Sequence, residues 1–205
     1  MKKIMWLLPV IALLISCGGE EEVDNYFPLT TGNTWTYDMV YRMMLVDTTE
    51  YTGTSTTEIT RETTLNNNVE VFEQVTTMIW DDTTTMPNSV DTTYIQATDE
   101  YIFIYDDLAD IAPDTSLALP IEQGNTWTVY ADTTDTLTAE VIEQVDITVP
   151  AGTYANCWDI QYTSLGQTQD NWFALDVGIV RHFMHIVEQN VTIEFTKELT
   201  SVNLQ

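Results

Sequence analysis

Basic residues are scarce in this chain. Six Lys and Arg stand against 32 Asp and Glu, giving a formal charge of −26 over 205 residues. Lys2 and Lys3 sit at the extreme N-terminus, so only Arg42, Arg61, Arg181 and Lys197 serve the rest. A phosphate backbone would be repelled, which excludes nucleic acid as a partner. Anionic headgroups would be repelled by the folded surface for the same reason. Histidine and cysteine number two each. No zinc-type Cys/His spacing is present, no glycine loop that cradles phosphate, and no Gly-x-Ser-x-Gly elbow. His182 and His185 are three apart, which on a strand puts them on opposite faces. These absences argue against an enzyme and against a bound cofactor.

Long apolar runs are missing too. The longest, Ile4 to Ile15, has 12 residues and contains Pro9, against roughly 20 for a membrane span. Two lysines, this short core and Ser16 before Cys17 make a secretory signal. Leu14-Ile15-Ser16-Cys17 resembles the lipobox of bacterial lipoproteins. That resemblance implies cleavage before Cys17, acylation of its thiol and new amino group (palmitate-type chains), and a cell-envelope address, the outer membrane by expectation. The expected partner is therefore the membrane, through the lipid anchor at Cys17. Residues 1–16 form the signal and 17–25 the acylated Cys with an acidic tether. Residues 26–205 form a single β-rich domain. With Cys17 lipidated, Cys157 has no disulfide partner and reads as a small buried apolar residue.

What the chain has is β composition. Its 35 threonines accompany many Tyr and Val, residues that suit a pleated, half-buried surface. Val191, Ile193 and Phe195 alternate with Thr192, Glu194 and Thr196. Tyr154, Trp158, Ile160 and Tyr162 are expected on one face, and 136–149 reads as strand. Turn signals at Gly32-Asn33, Asn66-Asn67-Asn68, Pro87-Asn88, Gly124-Asn125, Pro150-Ala151-Gly152, Gly166 and Gly178 divide the runs. The expected fold is mainly β, a single antiparallel curled sheet or half-open barrel with little helix. Only 99–117 is ambiguous, between a short helix and a loop over a sheet edge. Phe27-Pro28 to Thr36 echoes Leu119-Pro120 to Thr128, 92 residues on, sharing Pro, Gly, Asn, Thr, Trp and Thr. The echo marks either duplicated halves or one local device used twice, and poorly matching flanks favour the second.

Three blocks carry a family resemblance. Tyr26-Phe27-Pro28-Leu29 with Gly32-Asn33-Thr34-Trp35-Thr36-Tyr37 is similar to the opening of a group of uncharacterised bacterial lipoproteins. Val149-Pro150-Ala151-Gly152-Thr153-Tyr154-Ala155-Asn156-Cys157-Trp158 and Trp172-Phe173-Ala174-Leu175-Asp176-Val177-Gly178-Ile179-Val180-Arg181 continue it. The resemblance implies a β-rich envelope domain, distantly similar to half-barrel lipoprotein carriers that hold acyl chains. Those carriers pair the sheet with a covering helix, which only 99–117 could supply.

Aromatics supply the functional expectation. Trp35, Tyr37, Trp127, Trp158 and Trp172 read as core or as the lining of an apolar ligand pocket. Among the carboxylates, Asp106, Asp107 and Asp110 are the weak metal candidates, without the regular Asp-x-Asp-x-Asp-Gly loop of calcium sites. Two roles remain: binding an apolar ligand in a curled sheet, which requires a continuous cavity lined by Trp and Tyr, or a structural role in an envelope complex, which requires a filled core and an exposed apolar patch or open edge.

Overall fold

The computed structural model describes residues 24–188 and 190–205. The signal segment 1–16, Cys17 and the tether up to residue 23 lie outside the described residues. Twelve strands follow one another: β1 (Thr34–Met44), β2 (Thr48–Thr64), β3 (Glu70–Trp80), β4 (Ser89–Ala97), β5 (Tyr101–Tyr105), β6 (Asp114–Ala118), β7 (Thr126–Ala131), β8 (Thr136–Val149), β9 (Gly152–Ser164), β10 (Gln167–Ala174), β11 (Gly178–Glu188) and β12 (Val191–Asn203). No helix occurs among the described residues. The ambiguous stretch 99–117 holds β5, β6 and the loop between them.

All strands form one antiparallel sheet in the order β6-β5-β4-β3-β2-β1-β12-β11-β10-β9-β8-β7. It is a meander in which the first strand pairs with the last, and the free edges β6 and β7 come close without a ladder. The result is a nearly closed barrel. Side chains bridge the seam instead. The Trp127 indole on β7 donates to the Thr115 carbonyl on β6 at 2.9 Å. The Tyr162 hydroxyl on β9 donates to the Ser116 carbonyl at 2.8 Å. Exposed edge carbonyls are thereby partly satisfied, and the edges are shielded from pairing with another chain.

Threonine suits this surface because it pairs across strands. Thr57 and Thr76 hydrogen-bond at 3.1 Å, and Thr148 and Thr153 at 3.0 Å. Gly53 is needed where β2 meets β3, since a Cβ there would collide with the Ile79 carbonyl oxygen. Bulges turn the sheet into a barrel. One opposes Asp146 to Ala155 and Asn156, with Asn156 at φ 54° and its N–H bonded to Asp146 Oδ1 at 3.0 Å. This bulge corrects the expected shared face. Trp158, Ile160 and Tyr162 stay together, but Tyr154 swings to the face of Val145 and Cys157. The Tyr101–Tyr105 run buries Ile102 and Tyr105 and leaves Tyr101 exposed.

One core cluster joins Tyr26, Ile95, Leu117, Val141, Ile160 and Phe173 across both halves of the sheet. A second gathers Trp35, Tyr37, Ile147, Cys157, Val180 and Leu199. Here the β8–β9 turn lies against β12, and Ala151 N donates to Leu199 O at 2.9 Å. Cys157 is fully buried, and burial pushes its thiol pKa up.

The sequence echo is a structural echo. Gly32 N donates to Ile59 O and Ile59 N to Asn33 O; Gly124 N donates to Val141 O and Val141 N to Asn125 O. A bulge follows Ile59 on β2 and Val141 on β8. The device opens each set of six strands. The two asparagine side chains differ, however. Asn33 is buried, donating to Pro28 O at 2.9 Å and accepting from Gln205 N at 2.8 Å, so it ties both chain ends to the barrel. Asn125 is exposed. Asn33→Ala is therefore expected to cost about 2 kcal/mol in denaturant unfolding, and Asn125→Ala less than about 0.5. Equal costs would contradict this reading.

Candidate functional site

A twelve-stranded barrel is wider than the roughly eight-stranded one whose own side chains fill it. Part of the extra space is taken by Tyr26–Leu29, which packs Tyr26, Phe27 and Leu29 onto the core before β1 begins. A cavity of about 380 Å3 remains, open to solvent over part of its boundary. That lies within the usual range for small-molecule sites.

Its wall is mostly apolar. Phe27, Pro28, Trp35, Tyr37, Met78, Ile104, Ile179 and Phe195 contribute ring and alkyl surface, and Thr57, Gln74, Thr76, Ser116, Asn171, His182 and Lys197 the polar groups, with Gly178 completing the lining. Strand register explains the polar row. Met39 pairs with Lys197, Lys197 with His182, and His182 with Asn171, so these four point the same way from adjacent strands. The neighbouring row, Trp172, Arg181 and Glu198, points the other way.

The sequence expectations divide on this geometry. Trp35 and Tyr37 line the cavity, held by bonds from their polar ends across β12: the Trp35 indole to Val177 O at 2.6 Å and the Tyr37 hydroxyl to Ile179 O at 2.9 Å. Trp127 serves the seam and Trp158 packs beside the core. Trp172 lies on the opposite face, with Arg181 5.2 Å from its ring centroid. Asp107 and Asp110 use carboxylate oxygens to cap N–H groups of Ala109 at 2.7 Å and Ala112 at 2.9 Å in the β5–β6 loop, with Asp106 beside them. No group of three or more His, Cys, Asp or Glu that could hold a metal occurs among the described residues.

The residues not foreseen are Lys197, His182, Asn171, Gln74 and Thr76. Asn171 Oδ1 and His182 Nδ1 are 2.7 Å apart. An amide oxygen only accepts, so the proton sits on Nδ1 and Nε2 is left as an acceptor. Asn171 lies near Tyr162, whose hydroxyl donates to Ser116 O. A polar chain thus runs from the seam at β6 through β9 and β10 to β11. Burial and the neighbouring Lys197 charge hold the His182 imidazolium down to about 4, so the ring is neutral at pH 7.

Lys197 ends the row. Its Nζ lies 4.9 Å from the Tyr37 ring centroid, a cation–π contact. Arg42, Arg61 and Arg181 each meet a carboxylate, Glu50 at 2.7 Å, Glu73 at 2.6 Å and Glu198 at 3.4 Å. Lys197 has no such partner among the described residues. Burial alone pulls its pKa down to about 8, because the ammonium loses water without gaining an anion.

These shifts set pH dependence. The folded Lys197 binds its proton less well than the unfolded one (about 10.4), so its penalty is full below about pH 8 and fades as pH rises to about 10.4. The His182 contribution is present above about pH 6.5 and is lost as pH falls through about 4. Asp159, on the face away from Lys197, works the opposite way. Burial and the nearby Asp170 and Glu143 raise it to about 6, so its contribution grows as pH falls through that value. Lys197→Met is expected to stabilise the protein at pH 7 by about 1–3 kcal/mol, a range reduced for partial exposure. The gain should shrink toward zero by about pH 10.5 in paired urea titrations. A destabilised variant, or a gain independent of pH, would contradict an uncompensated ammonium.

No protein-family model matches the sequence, and neither does any curated protein. Among solved structures, one from Bacteroides fragilis, a candidate exported protein with a YmcC-like fold, matches over 88% of this chain and 99% of its own. The TM-score is 0.55 at 12% identity. A candidate lipoprotein from Parabacteroides distasonis aligns over 89% of this chain and 100% of its own, with TM-score 0.49 and 16% identity. At these identities the first likeness shows the fold: this chain has the barrel architecture of that exported protein.

Proposed function

We propose that this protein is a non-enzymatic lipoprotein of the bacterial cell envelope, anchored by acyl chains on Cys17, that holds an apolar ligand inside its barrel. The observation that carries the reading is the 380 Å3 cavity lined by Trp35, Tyr37, Phe195 and Met78. A purely structural barrel would gain by filling that volume, since packing voids cost stability. The secretory-signal pattern and the lipobox-like Leu14-Ile15-Ser16-Cys17 support a membrane address, where apolar ligands are concentrated. Among the cavity-lining side chains no hydroxyl hydrogen-bonds His182, whose partner is Asn171.

One observation favours an interaction role in addition. Leu45, Val46 and Val187 are 57%, 97% and 60% exposed. They sit at the β1–β2 and β11–β12 turns, which the pairing of Met44 with Thr192 brings side by side.

Native mass spectrometry of the chain from residue 17, carrying Cys17→Ser, incubated with an envelope lipid extract and then purified gently, tests the proposal. A reproducible added mass, lost on organic extraction, is expected. Thr76→Trp, which fills part of the cavity, should remove that mass while leaving the far-UV CD spectrum unchanged. A bare wild-type mass, unaltered by added lipids, would shift the reading to the interaction role.

A further inference from the structure

Charge is segregated in this molecule. Among the described residues no Asp or Glu lines the cavity, while one of the few basic residues does. On the outside, each described arginine has a carboxylate beside it. Inside, the Lys197 ammonium meets only the face of Tyr37 and the neutral His182. Those are also the only titratable groups of the lining. A cation kept in an apolar cavity without an anion is a half-finished ion pair.

We propose that the ligand is a single-chain amphiphile with an anionic carboxylate head, its head held by Lys197 and its chain lying along Trp35, Met78 and Phe195. This rests on the lumen-binding function above and names its ligand class. The wall provides for both parts. Lys197 offers N–H donors to a carboxylate, and desolvation inside the barrel strengthens such a charge-assisted bond. Asn171 fixes the His182 tautomer, so His182 stays uncharged and adds an acceptor that suits a bridging water or a second ammonium hydrogen. A cavity of about 380 Å3 that carries a single cation falls in the range of small-molecule sites and suits one amphiphile with one anionic head.

The test is calorimetric titration of the Cys17→Ser chain with dodecanoate and with 1-dodecanol, below their micelle concentrations at pH 7. Wild type should bind dodecanoate at least about tenfold more tightly, the least expected of one charge-assisted contact. Lys197→Met should abolish that preference and keep its affinity for dodecanol. Equal affinities in the wild type, or a preference that persists in Lys197→Met, would overturn the headgroup assignment and leave lumen binding intact. Binding of neither compound to the wild type would overturn both.

Discussion

The ladder between β1 and β12 holds the architecture together. It joins the first strand of the chain to the last, from Thr34 opposite Asn203 to Met44 opposite Thr192. Without it, two six-strand meanders would each curl alone. With it, the sheet wraps far enough that β6 and β7 nearly meet, and Trp127 and Tyr162 bridge the seam. The ladder also builds the site. It sets Lys197 beside Met39 and brings Trp35 and Tyr37 within reach of Val177 and Ile179 on the far side of β12. The Asn33 clamp on Pro28 and Gln205 secures the same junction from the chain ends.

The exterior and the lumen follow opposite electrostatic rules. The chain's large negative excess opposes self-association through like-charge repulsion. Among the described residues, the cavity lining holds one lysine and no carboxylate. That lysine costs folding stability, since its ammonium is desolvated and meets the face of Tyr37 in place of an anion. Features that cost stability without a structural return concentrate at functional sites. The unfilled volume beside Lys197 belongs to the same class, and the two features coincide in one cavity.

Much of the fold was legible because period-two patterning and turn chemistry are local. Strand 136–149, the alternation of Val191, Ile193 and Phe195, and the Gly-Asn turns all depend on near neighbours, and the structure places them as read. Tyr154 was misplaced because a bulge at Asn156 shifts the face by one residue, and no periodicity count detects an inserted residue. Trp172 was assigned to the lining on aromatic character alone. Its neighbour Asn171 takes the lumen side, a matter of register that single residues do not reveal. Lys197 did leave a local mark: it continues the odd-numbered apolar face of Val191, Ile193 and Phe195, where a cation has no bland role. What the sequence could not show is that Arg42, Arg61 and Arg181 are all matched outside, which is what makes Lys197 exceptional.

The most direct measurement is the titration of the Lys197 ammonium by NMR, with selectively labelled lysine, in the free protein and with dodecanoate bound. Once the signal segment is removed, Lys197 is the sole lysine, so its signal needs no assignment. The account predicts a free value of about 8 and a rise of at least one pH unit on binding, as the carboxylate supplies the missing partner. A lysine that titrates near 10.4 in both states, as a solvated one does, would contradict the claim that the barrel keeps an uncompensated cation for its ligand.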